Sequence, residues 1–440
     1  NADRSLGAVN VERSWINESL ARPYAIAPAC LGVSDMSSTN CLLAVRGTLY
    51  ASSNSGAVWK QVTNAPRFTG SAGPSTYASI GLESNCPWEY YIDTHKNAQV
   101  FIAYNDLGLT ASADRGKTWR SAMPGCPFQG TVYNIAVDPS REGRLYAAIG
   151  SQPGIPSWDQ IDHVDPSGGV VTSDDYGLTW RPVGTGLPDL PCTYVTVDPK
   201  STRNAVTLYA AMYGDGVYKS TDAGKTWERK SLGLAREGNN HVFMVKVHPT
   251  SGDVYCSVTG SRSGDDFPVA GGLWYSTTGG ETWEEMTGDL QLHWPGGFDF
   301  DTRYPLVVYL AASSIPGSRE GGLYRFEHGG KIYSRARKDE DFIPPGSLPG
   351  TDAPPVRAWF VSVSPHDQDH VYVSTMDHGL WLSKDANTSW IPIDWVPFPA
   401  VTRVCFPPLN KTRIIVSTFG AGVWKGPAVS GEALSADDEE

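Results

Sequence analysis

The sequence predicts an all-β protein: a single β-propeller of four-stranded antiparallel blades, eight in number with seven as the alternative, its ring closed by an N-terminal strand. Three observations carry this. One eight-residue phrase recurs, as SADRGKTW ending at Trp119, SDDYGLTW at Trp180, STDAGKTW at Trp227, STTGGETW at Trp283 and a worn SKDANTSW at Trp390. Each phrase follows three short runs with period-2 alternation, so that every unit reads as four strands. The spacing is roughly 45 to 60 residues where intact units adjoin, which is a repeat period and not a set of unrelated turns.

The strands can be assigned in order. A β-rich run before a Pro-containing turn gives the inner strand: NIAVDP to Pro139, YVTVDP to Pro199, MVKVHP to Pro249 and VSVSP to Pro365. A second strand follows (LYAAIG from Leu145, TLYAAM from Thr207, VYCSV from Val254, VYVST from Val371), then a third opened by Gly (GVYKS, GLWYS, GLWLS), then the fourth with its Trp. Within the phrase, Asp and Gly suit a tight turn, the Asp capping backbone N–H groups and the Gly supplying positive φ, while the Trp packs between blades. The units run 22–64, 76–123, 131–185, 193–233, 241–290, 296–338, 356–395 and 400–426. The last holds only three strands, and its missing outer strand is expected at Asn10–Trp15, paired against Gly420–Gly426. The propeller is thus expected over 1–426, and 427–440 as an acidic, disordered tail.

The repeated phrase resembles the Asp-box, Ser-x-Asp-x-Gly-x-Thr-Trp, of sialidase, xyloglucanase and sortilin-type propellers. The blade text, as in GLWLSKD and GVYKSTD, is most similar to that of xyloglucanase-type glycoside hydrolases. The resemblance is specific for fold and leaves function open, because the box occurs in glycosidases, lectin-like modules, sorting receptors and assembly factors alike. It implies a carbohydrate-active protein. The expected sialidase Arg segment is matched only by Ala21-Arg22-Pro23-Tyr24, and the cleft between two propellers that xyloglucanase-type enzymes use is not expected from one propeller.

Composition narrows the partners. A net charge of −12 argues against nucleic acid, and no apolar run reaches the ~18 residues of a membrane span. A monomer is expected, acting on an oligo- or polysaccharide. Sequons at Asn17, Asn387 and Asn410 and 7 cysteines suggest a secreted glycoprotein. Loop positions suggest bridges Cys30–Cys41 and Cys86–Cys126, with Cys256 and Cys405 as thiols inside strands and Cys192 unassigned. No spacing marks a metal site and no cofactor is expected, although the carboxylate-rich loop Asp159–Asp165 has the chemistry for structural Ca²⁺.

The long loops, 150–169, 259–272, 313–322 and 335–356, all fall on the face opposite the box turns, so the site is expected there. This removes the box carboxylates, read as Asp114, Asp174 and Asp222, together with His95, His248 and His366. Candidate acid/base groups are Asp106, Asp215 and Asp377, at equivalent turns of three blades, and Asp299, on an inner strand next to Lys246 of the neighbouring blade. Good turn chemistry and a buried salt bridge are the competing explanations. Arg22, Arg357 and Arg403, at the starts of three inner strands, make a possible carboxylate clamp. With His241 or Tyr194 as base, that clamp would suit elimination at a uronate; Trp294 and Trp359 are candidates for stacking on sugar rings. Hydrolysis, elimination and binding without catalysis are the three readings, in that order.

Overall fold

The computed structural model describes residues 28–431, apart from 46–47, 69–74, 80–84, 129, 158, 160, 162–166, 302, 305, 316, 328–331 and 339–356. Among these residues the chain forms seven four-stranded antiparallel sheets, one three-stranded sheet and a two-stranded hairpin. In sequence order, sheet 1 spans 28–61, sheet 2 87–121, sheet 3 131–182, sheet 4 192–229, sheet 5 242–285, sheet 6 294–338, sheet 7 358–393 and the three-stranded sheet 8 401–427. The hairpin pairs Asn64–Phe68 with Thr76–Ser79.

Sheets 2 to 8 pack in succession, and sheet 8 returns on sheet 2. Thr402 Oγ1 donates to Pro87 O (3.0 Å), Arg403 ion-pairs with Glu89 (2.7 Å), and Gly420 N–H donates to Asn85 O (3.0 Å). Among the described residues, sheets 2 to 8 are the ones that succeed one another in this way. Sheet 1 makes its main strand contacts within itself and exposes Leu31, Val33, Met36 and Leu42. Closure by Asn10–Trp15 concerns residues outside the described set. At the other end, Ala428 and Val429 are buried and Tyr372 OH donates to Ala428 O, so the packed structure runs past the expected boundary at 427.

The box owes its recurrence to one hydrogen-bond pattern. In sheet 4, Ser220 Oγ donates to Asp222 and accepts from Gly224 N–H, while Asp222 accepts from Thr226 N–H and from Thr226 Oγ1. The same four positions bond alike in sheets 2, 3 and 7, and Thr278 replaces the carboxylate in sheet 5 by accepting from Thr282 N–H. The turn needs two successive residues in the left-handed region, for example Ala223 (φ 62°) and Gly224 (φ 84°), which is why Gly is fixed and only Asn387 (φ 85°) stands in for it. In sheet 3 the capping residue is Asp175. Asp174, taken from the sequence as the box carboxylate, instead pairs with Arg144 (2.6 Å) and Arg181 (3.1 Å).

Every inner strand carries a register shift near its start, as at Pro87/Glu89, Val132/Asn134, Val242/Met244 and Ala358/Phe360. A bulge leaves one residue out of the ladder and re-aims its side chain. The residues left out include Trp88, Tyr133 and Trp359, and these meet at the axis. Trp88 lies 5.4 Å from Trp359 and 5.8 Å from Tyr133, with Phe419 against both tryptophans.

The cysteine pairings are not formed. Cys30 stands opposite Ala44 and Cys41 opposite Val33, an offset of three residues or about 10 Å along the strand, beyond the ~7 Å a disulfide spans. Cys126 is a buried free thiol whose pKa is pushed up to about 11 by burial, so no bridge joins it to Cys86. Cys192, Cys256 and Cys405 are also free thiols, the last two as expected.

Candidate functional site

The central channel is filled in two layers. Inner strands enter from the loop face, so their early residues lie near it, and the Trp88–Tyr133–Trp359–Phe419 cluster closes that mouth. The loop between the second and third strands of sheet 3 lies over it. Its Ile155 and Ile161 are fully buried, Tyr133 OH donates to Gln152 O, and Ile161 packs with Trp294.

Below the aromatic layer stand the inner-strand candidates, each tied to a neighbour. Arg403, only 8 % exposed, donates to Glu89, and its guanidinium lies 4.4 Å over Phe360 and 5.4 Å over Tyr194. Burial works most strongly against its charge, but Glu89 together with Tyr194 and Tyr91 outweighs it and the Arg403 pKa is raised. Tyr194 is buried and its phenol pKa is raised, by burial first. Deeper still, Lys246 Nζ binds one oxygen of Asp299, while Val363 N–H donates to the other (2.9 Å). Burial opposes the Lys246 charge and Asp299 more than restores it. Both Asp299 oxygens are thus engaged in joining sheets 5, 6 and 7, which is the buried salt bridge weighed against a catalytic role in the sequence.

The loop-face candidates separate likewise. Arg357 grips Asp377 through two hydrogen bonds (2.6 and 3.0 Å), so Arg357 and Arg403 sit in two different ion pairs; Arg22 lies outside the described residues. A three-arginine clamp for a uronate is not assembled by the described residues. Trp294 and Trp359 are 0 % and 2 % exposed and are packing residues, not stacking platforms. Asp215 pairs with Arg229 (3.1 Å) and accepts from Tyr218 OH (2.6 Å); Asp106 is exposed at its turn in sheet 2.

What the structure does gather is a shelf across sheets 4 to 7. The His241 ring stacks on Tyr213 (4.9 Å), whose hydroxyl reaches Thr259 Oγ1 (2.9 Å) and Ile161 O (3.2 Å). Ile161 leads to Trp294, the Arg357 guanidinium lies 6.0 Å over Trp294, and Asp377 follows. Beside this line His293 Nδ1 lies 3.7 Å from Glu320, and burial lowers the His293 pKa, keeping the imidazole neutral near pH 7. Sequence reading left His293 out because it precedes a strand that reads as pure packing, and took in Glu320 only as part of the long loop 313–322. Only their proximity singles them out. Among the described residues no three His, Cys, Asp or Glu side chains converge as metal ligands, and most of Asp159–Asp165 lies outside them.

Fold and turn geometry define the class: a β-propeller of repeated four-stranded antiparallel blades. It is related to the xyloglucanase-type hydrolases. A family model described as Sortilin-Vps10 (sortilin, neurotensin receptor 3) matches residues 168–302. A xyloglucanase of Hypocrea jecorina is 23% identical over 348 residues, covering 70% of this chain and 38% of that protein. A probable oligoxyloglucan-reducing end-specific xyloglucanase of Neosartorya fischeri is 30% identical over 235 residues, covering 50% of this chain and 25% of that one. Among solved structures, the GH74 xyloglucanase of Xanthomonas campestris superposes with a TM-score of 0.58 at 16% identity over 80% of this chain and 53% of its own. The GH74 enzyme of Niastella koreensis gives 0.53 at 14% identity over 91% and 60%. The chain therefore spans well under half the length of these two curated relatives.

Proposed function

We propose that the chain is a glycoside hydrolase acting on xyloglucan or a closely related neutral polysaccharide, and that it works outside the cell, where such polymers are found. The observation that carries the reading is two loop-face carboxylates, Asp377 (21% exposed) and Glu320 (43% exposed), set in unlike surroundings on a propeller related to xyloglucanases. Glycoside hydrolysis needs one carboxylic acid to protonate the leaving oxygen and one carboxylate to act as base or nucleophile. Asp377, held in its ion pair by Arg357, suits the charged role. Glu320, 43% exposed beside a neutral imidazole, suits the proton donor.

The test is release of reducing ends from xyloglucan by the purified chain. Asp377→Asn and Glu320→Gln should each lower turnover by about 10²-fold or more while leaving binding in place. Asp299→Asn should instead lower stability, with turnover per folded molecule unchanged. A chain that binds xyloglucan but releases no reducing ends would be a binding propeller, a reading favoured by the ion pairs that already engage Asp215, Asp299 and Asp377.

A further inference from the structure

Three histidines stand in turns between the first and second strands of their sheets, His95 in sheet 2, His248 in sheet 5 and His366 in sheet 7. Two of them are donors. His95 Nε2 donates to Asp138 O of sheet 3 (2.9 Å), and His366 Nε2 donates to Pro407 O of sheet 8 (2.8 Å). A donor keeps its bond when the ring takes up a second proton. His248 is an acceptor: its Nδ1 receives the backbone N–H groups of Thr250 (3.3 Å) and Ser251 (3.1 Å), which puts the ring proton on Nε2.

The position of His248 is that of a turn cap. Asp93, Asp138, Asp198 and Asp301 hold the same place in sheets 2, 3, 4 and 6 and accept from the N–H two residues on, at His95, Ser140, Lys200 and Arg303; in sheet 7 the Ser364 hydroxyl accepts from His366. The turn that His248 caps is also a joint between sheets, because Lys200 Nζ of sheet 4 donates to Ser251 O (2.7 Å). The imidazole is 1% exposed, lies edge-on to Phe300 (4.8 Å), and its Nε2 has no hydrogen-bond partner among the described residues. The charged groups facing it are Asp253 on its own turn, Lys200 from sheet 4 and Lys246 on the inner strand. Burial first, joined by the two lysines, outweighs Asp253 and holds the His248 pKa below its ordinary value.

We propose that His248 is an acid-released latch: protonation of Nδ1 removes the cap and frees the turn 248–253, and with it the Lys200 contact between sheets 4 and 5, while the turns capped by carboxylate or hydroxyl stay closed. An imidazolium cannot remain in place. A proton on Nδ1 would point at two N–H donors, and the charge would lie buried with no acceptor at Nε2. The ring must therefore leave its site to be protonated. The open turn takes up its proton at the ordinary histidine pKa, about 6.5, and the closed turn does not, so opening grows about tenfold for each pH unit below that value. Carboxylate caps ionise near 4 or below and do not respond in the same range. The latch lies on the face opposite the candidate site and does not depend on which substrate the chain takes.

Hydrogen exchange of the full chain, followed from about pH 7 to about pH 5 and corrected for the intrinsic rate at each pH, tests the latch. Protection of the Thr250 and Ser251 amides should fall about tenfold per unit below about pH 6.5, while the Arg303 and Tyr304 amides under Asp301, and the strand amides of Val254–Val258, keep theirs. His248→Asp should abolish the fall, and His248→Asn, which supplies an acceptor that does not titrate, should abolish it too should the aspartate variant fold poorly. Protection of Thr250 and Ser251 that stays flat across this range overturns the proposal. So does an equal fall in the substituted chain, or a fall shared by Val254–Val258, which would make the effect a loss of global stability and not the release of one turn.

Discussion

Asp174 and Asp175 are adjacent, chemically identical and differently employed. Asp175 accepts hydrogen bonds from the backbone N–H groups of Leu178 and Thr179 and from two hydroxyls, whereas Asp174 makes partly exposed pairs with arginines. Removing the acceptor that closes a turn forfeits several hydrogen bonds at once and costs more than removing a screened surface charge. Asp175→Ala should therefore lower the unfolding free energy by about 0.5–2 kcal/mol and Asp174→Ala by less, as read by urea denaturation. Acid acts on the same groups together. Partial burial alone would raise the pKa values of Asp114, Asp175 and Asp222, but their hydrogen bonds outweigh it and hold them below the ordinary value; the Ser389 hydroxyl and N–H bring Asp385 down to about 2. Carboxylates depressed in the folded state stabilise it above their unfolded pKa, near 4, and lose that contribution as pH falls toward 2. The midpoint of acid unfolding should accordingly shift upward in Asp385→Ala, followed by fluorescence of the tryptophans.

At the scale of the strand, the repeat was legible because local turn chemistry dictates it, and the four units whose inner strands were read, ending at Pro139, Pro199, Pro249 and Pro365, form sheets 3, 4, 5 and 7 where those patterns placed them. The inner-strand bulges were not legible. They arise from packing at the axis, where aromatic side chains from distant units must meet, and nothing within one unit reports that distance. The same blindness misassigned Trp294 and Trp359, since an aromatic residue at a strand start reads alike whether it faces solvent or a neighbour. Sheet 6 shows what the crowding demands. A Cβ on Gly296 would stand 2.2 Å from Trp359 O, and one on Gly297 would meet the Phe360 ring at 2.1 Å. Gly296→Ala presses on backbone and cannot be relieved by a rotamer change. It should destabilise by more than about 3 kcal/mol, whereas Gly264→Ala, with nothing within reach, should cost far less apart from its own φ of 63°.

For the molecule as a whole, the order of the blades was readable and the circuit was not. Sequence order places sheet 1 next to sheet 2, yet it is sheet 8 that packs there, a choice made by Arg403 and Thr402 reaching Glu89 and Pro87 across more than three hundred residues of chain. The site suffered from the same limit. His293 and Glu320 lie on separate loops of one unit, before the first strand of sheet 6 and between its second and third, and become neighbours only when that sheet pairs Trp294 with Ser313.

The joint between sheets 8 and 2 also bears on how the molecule comes apart. A circuit of like parts under thermal stress opens at its least-filled joint, here the one between sheets 8 and 2 with its cavity of about 430 Å³, and the largest buried cluster, although it takes in Trp88 and Trp359 at the axis, has most of its members in sheets 4, 5 and 6. Heating should thus produce a crack before it produces a melt. At temperatures below the main transition, a protease ought to cut first within 413–427 and 87–121, leaving sheets 4 to 6 as the last resistant fragment, and the cleavage order read by mass spectrometry would show whether the propeller unzips from one seam or fails everywhere at once.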